Sequence, residues 1–597
     1  MTIQRYSVNS YPINTLLAWL NADQIAIPEI QRPFVWNSAK VRDFIDSLYW
    51  GYPVGYIIAW QNPDVRLKDG TTSSGKRVLI DGQQRVTALL AALQGRQVIN
   101  KDYKQVSIAI AFHPANERFE VRNPAISRNR EWIADIARIF QPETRINRLV
   151  DEYCEANPDM DKDETFERMN KLQAIGFNTI GLIDLNHDLD VETVAEIFIR
   201  INSQGVTLNA ADFAMSKMAS SEKYNGHQLR KCIDYFCHLA IAPEAYNQLS
   251  NDRNFVRTDY FRTMEWLKDE KEDLYDPSYT DMLRVAFTSE FKRGRLEDLV
   301  ALLSGRNFET RTFEEIIAEN SFYRLGEAVK RYMNETNFKR FIMILRSAGF
   351  VNASMIRSQN TVNFAYILYL TLRALHVEHV QIETLVRRWF VMSVLTARYT
   401  GSPETAFSVD IRHIDDQGAQ SYLDTLAQAE LSDAFWNVGL PQQMDTSVAS
   451  SPYYNVFLAS QVKANDKGFL SSDICVRDLL EGQAHTHHIF PKNYLKKEGL
   501  QRGRYNQIAN YVVMQGEINI AIGDTEPAVY FEKLWEQCKT EKTYYGRIKK
   551  ANDLRDNLVQ HCIPQEDIDL SVYGFDEFLQ ARRKLMSVKI RDYYKKL

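Results

Sequence analysis

The sequence predicts an α+β multidomain protein, on three observations. Near the start, strand-like and helix-like apolar patterns alternate around an Asp-Gly turn; a long middle stretch carries apolar residues at intervals of three and four; and a series of histidines and asparagines near the end lies among short apolar segments. At 597 residues the chain exceeds a single hydrophobic core, and a usual size of about 100 to 200 residues per domain leads to about three or four units. The expected divisions are 1–220, 221–430 and 431–597.

In the first part, Asn37 or Ser38 can cap a helix whose apolar residues Val41, Phe44, Ile45, Leu48 and Tyr49 recur with helical spacing. Gly51 and Pro53 end it, and Val54, Tyr56, Ile58 and Trp60 then alternate like a strand. A polar loop from Asp64 to Gly75 leads to Val78-Leu79-Ile80, a buried strand that runs into Asp81-Gly82-Gln83-Gln84-Arg85. A helix follows, with Val86, Leu89, Leu90 and Leu93 on one side. A strand, a glycine turn and a helix start together make a place where anions bind, because the first amides of a helix have no partners within it. Asp81 there can orient a metal or a water, Gln83 or Gln84 can position water or a base edge, and Arg85 can hold phosphate oxygens. The plainer reading is an Asp-Gly turn tied down by an arginine salt bridge.

The middle stretch reads as helices over Phe213 to Phe236, Phe255 to Leu267, Leu325 to Met333, Phe338 to Ala348, Val362 to Leu375 and Ile382 to Leu395. Their apolar and aromatic residues belong to helix packing. Gly439 to Pro452 is richer in Pro and Ser and marks the entry to the last domain, where Tyr453 to Ala464 again looks helical.

In the last domain His487 and His488 stand side by side, with Asn510 22 residues beyond His488 and Asn519 9 further on. Cutting a phosphodiester needs a base to activate water and a divalent cation to stabilise charge on the phosphate and the leaving oxygen. In that chemistry His488 is the base, His487 and Asn519 hold the metal, and Asn510 shapes the turn that presents His488. Mg2+ keeps several waters, so a sparse protein shell suffices, while histidine also admits a softer metal such as Mn2+. The plainer reading is a histidine pair in a polar loop with asparagines capping turns.

Composition narrows the field. The apolar fraction of 45% with 25% charged residues is that of a soluble globular protein. No run of about 18 uncharged apolar residues occurs, and no basic stretch followed by an apolar one opens the chain, so neither membrane spanning nor secretion is expected. Six scattered cysteines lack the paired spacing of a zinc site and fit a reducing cytoplasm. A net charge of -5 gives no global pull toward nucleic acid. Local basic patches are Lys492, Lys496, Lys497, Arg502 and Arg504, and a terminal stretch from Arg582 to Lys596, the latter equally a solvated helix end. There is no Gly-x-x-x-x-Gly-Lys-Ser/Thr phosphate loop.

Two sets of residues carry a family resemblance. His488 to Lys492, Ile508 to Val513 and Ile518-Asn519 resemble the nuclease half of GmrSD-type restriction enzymes, an HNH or ββα-metal fold. Ile27 to Trp36, Tyr52 to Gly55, Asp81 to Arg85, and Ile197 to Leu208 followed by Asp212 resemble the other half, which is similar to ParB and sulfiredoxin folds. That half is associated with nucleotide binding and hydrolysis. The resemblance implies a nucleoside triphosphate of open base identity, with Arg32 and Arg85 neutralising phosphates beside Gly82 and Gln83, Asn202 and Gly205 closing over the nucleotide, and Asp81, Gln84 and Arg85 serving its turnover. Arg398-Tyr399, Ser402, Glu404, Asp410 and Arg412 resemble the connecting region, with a coupling or a structural hydrogen-bonding role. The family often carries Asp or Glu where His487 stands, which puts metal preference in doubt.

By this resemblance the chain is expected to be a cytoplasmic anti-phage endonuclease of the type IV restriction kind. Its partners are a nucleotide and modified phage or foreign DNA, marked for example by glucosylated hydroxymethylcytosine or phosphorothioate. A homodimer would suit paired strand cuts. Two other classes stay open: a nucleotide-gated DNA-binding module with a structural C-domain, and an RNA-targeting defence nuclease.

Overall fold

The computed structural model describes residues 5–22, 24–26, 36–61, 77–99, 105–186, 189, 194, 197, 210–221, 223–271, 274–482, 486–540, 542–565 and 569–597. The chain forms two compact units, the first of residues 1–269 with 300–322, the second of 270–299 with 323–597. The expected 221–430 segment is thus divided between them.

The first unit is built on a mixed five-stranded sheet. Strand β1 (Tyr6–Pro12) leads to helix α1 (Ile13–Asn21) and the short β2 (Ile25–Ala26), then helix α2 (Ser38–Tyr49), β3 (Tyr56–Gln61), β4 (Arg77–Asp81) and helix α3 (Gln83–Gln94). Two small hairpins follow, β5 (Val98–Ile99) with β6 (Gln105–Val106) and β7 (Ile110–His113) with β8 (Arg118–Val121), before β9 (Thr179–Leu185) returns to the sheet. The sheet order is β1-β9-β3-β4-β2. β9 runs antiparallel to β1 and parallel to β3, and β4 runs antiparallel to β3 and parallel to β2.

Asn37 is the cap of α2, its Oδ1 accepting from the Lys40 amide at 2.8 Å, a contact worth about 1 kcal/mol. The buried stripe Val41, Phe44, Ile45, Leu48 and Tyr49 is the one the periodicity predicts. In β3 the alternation extends further than a half-buried strand would need. Ile57 and Ala59 enter the main core with α1, α2 and α3, while Ile58 and Trp60 join Ile80, Leu185, Leu189 and Val194 on the other face. The sheet is therefore covered on both sides at its centre.

The second unit is mainly helical. Helix Gln359–Ala374 is buried without a break from Thr361 to Leu372, which makes it a central rod wrapped by its neighbours. Phe364 stacks between Trp389 and Tyr399, at 5.4 and 5.0 Å between ring centroids. Below these rings Asp410, fully buried, accepts from Arg398 Nε at 2.8 Å, Tyr399 Oη at 2.7 Å and Tyr422 Oη at 2.9 Å. The Arg398, Tyr399 and Asp410 cluster thus does the structural hydrogen bonding expected of it, and Glu404 pairs with Arg284 at 3.2 Å.

Some helices differ from the periodicity. The Phe213 to Phe236 stretch is two helices, Ala210–Ser220 and Gly226–Ile241. Asn225 turns left-handed at φ 53°, and a Cβ on Gly226 would lie 2.4 Å from the Met218 carbonyl, so the chain makes a tight corner there. The helical part of Phe255 to Leu267 is a helix over Asp259–Met264 with a 3-10 turn after it, begun by Thr258 Oγ1 accepting from the Phe261 amide at 3.3 Å. The terminal basic stretch is no free arm: it lies in helix Phe575–Lys595, with Arg582 fully buried, Arg583 paired to Asp445 at 2.7 Å and Lys589 bound to Asp466. Those three cations are held by the protein rather than offered to phosphates. Among the described residues no helix is long and apolar enough to cross a membrane, and all six cysteines are free thiols.

Candidate functional site

In the second unit β10 (Thr486–His488) pairs antiparallel with β11 (Tyr511–Val513), His487 opposite Val512 and His488 opposite Tyr511. Helix Gly516–Ile522 follows β11 after two residues and buries Ile518 and Ile522, with Asn519 half-buried beside them. His487, Asn510 and Asn519 therefore share one strand-strand-helix segment with His488.

The His488 ring lies edge-on to Tyr511 at 5.1 Å, and its Nε2 meets Asn506 Oδ1 at 2.9 Å. With that oxygen accepting, Nε2 carries the proton of the neutral ring and Nδ1 is the basic nitrogen. Burial pushes the His488 pKa below 6.5, the Asn506 bond opposes this, and the charge of Lys492 lowers it further. The ring is thus mainly neutral at pH 7, with Nδ1 unprotonated. Between its lowered pKa and 6.5 the unfolded chain binds a proton the folded ring resists, so stability falls as pH drops through that window. We expect the imidazole titration followed by NMR to have its midpoint below 6.5, and Lys492→Gln to move it upward; an unmoved midpoint would take Lys492 out of the ring's surroundings.

Asn510 has no exposed surface. Its Oδ1 accepts from the Phe490 amide at 2.8 Å, its Nδ2 donates to the carbonyls of Phe490 and Tyr505 at 3.1 and 3.2 Å, and its own carbonyl accepts from the Ile489 amide at 2.8 Å. It ties the turn after β10 to the backbone before β11. Two further clamps had no signal in the spacing. Arg582 Nη1 donates to the carbonyls of Ala509 and Tyr511 at 2.7 and 2.9 Å, and Tyr530 Oη donates to Ile489 O at 2.8 Å. Burial pulls the Arg582 pKa down to about 10, so it still holds its charge at pH 7. Asn506, 18 residues from His488, likewise stands out from its surroundings only once the turn is folded.

His487 is half-buried on the strand. Among the described residues no cluster of three His, Cys, Asp or Glu could hold a metal. The donors on this segment are one imidazole and the Asn519 amide oxygen, a set that fits a divalent ion keeping most of its waters. Lys492, Lys496 and Arg502 are exposed around the turn, whereas Lys497 is bound to Asp524 at 2.5 Å and Arg504 to Asp576.

The Asp81 segment belongs to the first unit. Gly82 ends β4 at φ 92°, and a Cβ there would meet Ile57 Cγ1 at 3.0 Å and its Cα at 3.1 Å. Only glycine suits both the conformation and the approach to β3; Gly82→Ala is expected to destabilise the first unit by about 2 kcal/mol in chemical denaturation, with an unchanged midpoint as the contrary result. Arg85 donates from Nε to the Val54 carbonyl at 2.8 Å and from Nη1 to that of Tyr56 at 3.1 Å, with Asp81 Oδ2 at 3.6 Å. Those two nitrogens hold the entry to β3, whereas the plainer reading had the arginine tie the turn through a salt bridge, here the longer contact to Asp81. Gln83 and Gln84 are buried; Gln84 Oε1 accepts from the Trp36 amide at 3.3 Å, while Gln83 Oε1 has no partner among the described residues. Arg32, Asn202 and Gly205 lie outside the described residues.

The molecule is thus a two-unit protein with a strand-turn-helix motif at the Asp81 segment of one unit and a histidine-bearing strand-strand-helix segment in the other. Residues 15–219 match the family model of the GmrSD restriction endonuclease N-terminal domain. Over 95% of this chain and 96% of the relative, the sequence is 22% identical to an uncharacterized protein of Methanocaldococcus jannaschii.

Proposed function

We propose that the protein is a metal-dependent endonuclease of the type IV restriction kind, which cuts or nicks modified foreign DNA under the control of a nucleotide bound by its first unit. One observation carries the nuclease half. The neutral His488 ring is oriented by Asn506 and held on a strand whose turn Asn510 locks, in a chain whose first unit matches a restriction-enzyme domain. His488 Nδ1 takes the proton from the attacking water. His487 and Asn519 would hold the divalent cation, Mg2+ or Mn2+, which supplies charge stabilisation at the phosphate. Lys492, Lys496 and Arg502 steer the backbone of the nucleic acid toward the turn by salt-sensitive attraction.

For the nucleotide half, the first amides of α3 and the unpartnered Gln83 oxygen support a polar ligand at the Asp81 turn. Arg32, Asn202 and Gly205 complete that site in our reading, with Asp81, Gln84 and Arg85 acting in turnover and a homodimer supporting paired cuts.

Purified protein incubated with modified DNA, unmodified DNA and RNA, across Mg2+, Mn2+ and single nucleoside triphosphates, tests this reading. Products from modified DNA in metal, altered by a nucleotide, are expected. DNA binding without product in any metal would replace it with a DNA-binding module, and RNA-selective products with an RNA-targeting nuclease.

A further inference from the structure

Tyr56 begins β3 and stands opposite Gly181 of β9. The ring reaches across that strand because Gly181 has no side chain: a Cβ there would lie 2.4 Å from Tyr56 Cδ1 and 2.6 Å from its Cε1. Even so, Tyr56 is 55% exposed. Among the described residues its side chain has no hydrogen bond, no ring contact and no cation beside it. An aromatic ring held at one edge and open to solvent is a surface on which a base can stack.

The neighbouring strand brings a carboxylate to the same face. Ile58 of β3 pairs with Asp81 and Ala59 pairs with Leu79, so Ile80 is the extra residue of a β-bulge in β4. Paired residues on adjacent strands share a face, which puts Asp81 on the face of Ile58 and, two positions along β3, of Tyr56. Regular alternation would have turned Asp81 with Leu79 toward the main core; bulges re-aim a side chain in this way beside functional sites. Tyr56 and the position opposite Asp81 are about 7 Å apart along the strand, a span that the sugar between a base and its phosphates covers.

Arg85 stands between the two. Its Nη1 lies 3.1 Å from Tyr56 O and 3.6 Å from Asp81 Oδ2, while Nη2 has no partner among the described residues. Gly55, at φ 85°, leaves room for it, since a Cβ there would lie 2.9 Å from Nη2.

We propose that Tyr56 stacks the base of the nucleotide held at the Asp81 turn, with Arg85 Nη2 on a phosphate, and that the site therefore prefers a purine, whose larger ring covers more of the tyrosine than a pyrimidine does. This rests on the nucleotide reading above and gives it the base contact it lacks.

Calorimetric titration of the full chain in Mg2+ tests it, with the hydrolysis-resistant β,γ-imido analogues of ATP and UTP and with inorganic tripolyphosphate as probes. The ATP analogue is expected to bind more tightly than the UTP analogue. Tyr56→Ala should weaken the ATP analogue by about tenfold and Tyr56→Phe by less than about twofold, with tripolyphosphate unchanged in both. Gly181→Ala, which pushes the ring aside, should weaken the ATP analogue in the parent and have no further effect in Tyr56→Ala. The ring is exposed, so Tyr56→Ala leaves both cores intact and decides the matter if the Gly181 variant fails to fold. An ATP-analogue affinity within about twofold of the parent in Tyr56→Ala, an equal loss for tripolyphosphate, or a UTP analogue that binds as tightly as the ATP analogue would overturn the stacking and leave a nucleotide site standing. A parent that binds neither analogue nor tripolyphosphate would overturn the nucleotide reading itself, and the stacking with it.

Discussion

Replacing His488 with alanine is expected to lower metal-dependent strand cleavage by at least about a thousandfold, within the range general-base removal produces. The physical reason is specific to this ring. Burial and Lys492 keep it neutral, and Asn506 holds its Nε2, so no other described side chain on β10 combines a basic nitrogen with that orientation. Nucleotide turnover, in the other unit, should remain measurable. The comparison is made on modified plasmid DNA in Mg2+, with circular dichroism to verify folding; metal-dependent cutting at the parent rate would remove His488 as the base.

The largest stability effect is expected at Asp410→Ala, about 3 to 5 kcal/mol in chemical denaturation, the usual result of stripping one partner from a buried ion pair. Burial opposes the charge of Arg398, and the Asp410 carboxylate overcomes this and raises its pKa. Without the carboxylate, Arg398 keeps only Glu430 at 2.7 Å as a counter-charge, and the hydroxyls of Tyr399 and Tyr422 lose their acceptor beneath the central helix. A loss below about 1 kcal/mol would mean the cluster contributes little.

Much of the scaffold could be read in advance because its causes are local. The cap at Asn37, the stripe of α2, the run of Val78-Leu79-Ile80 into Asp81 and the helix after Gly82 all follow from neighbours within a few residues. Length estimates failed where a single corner decided them, as at Asn225 and Gly226, whose close packing on Met218 no periodicity reports. At the histidine strand the spacing drew His487, His488, Asn510 and Asn519 together as one candidate series, and the structure sets them on β10, on the turn before β11 and on the helix Gly516–Ile522. The spacing was silent on Asn506 and Arg582, and it read Arg582 as a surface cation because a basic run near the end of a chain usually is one.

Residue chemistry and pattern were enough to single out the imidazole proposed as base, the glycine turn between β4 and α3, and helices that pack by apolar stripe. The tertiary fold alone decided which cations are free. Arg85 gives Nε and Nη1 to the Val54 and Tyr56 carbonyls, Arg582 binds those of Ala509, Tyr511 and His561, and Arg357 is exposed. The physical reason is that a guanidinium binds whichever carbonyls or anions the fold brings within about 3 Å, and those partners lie about 20 to 70 residues away in the chain, beyond the reach of any local pattern.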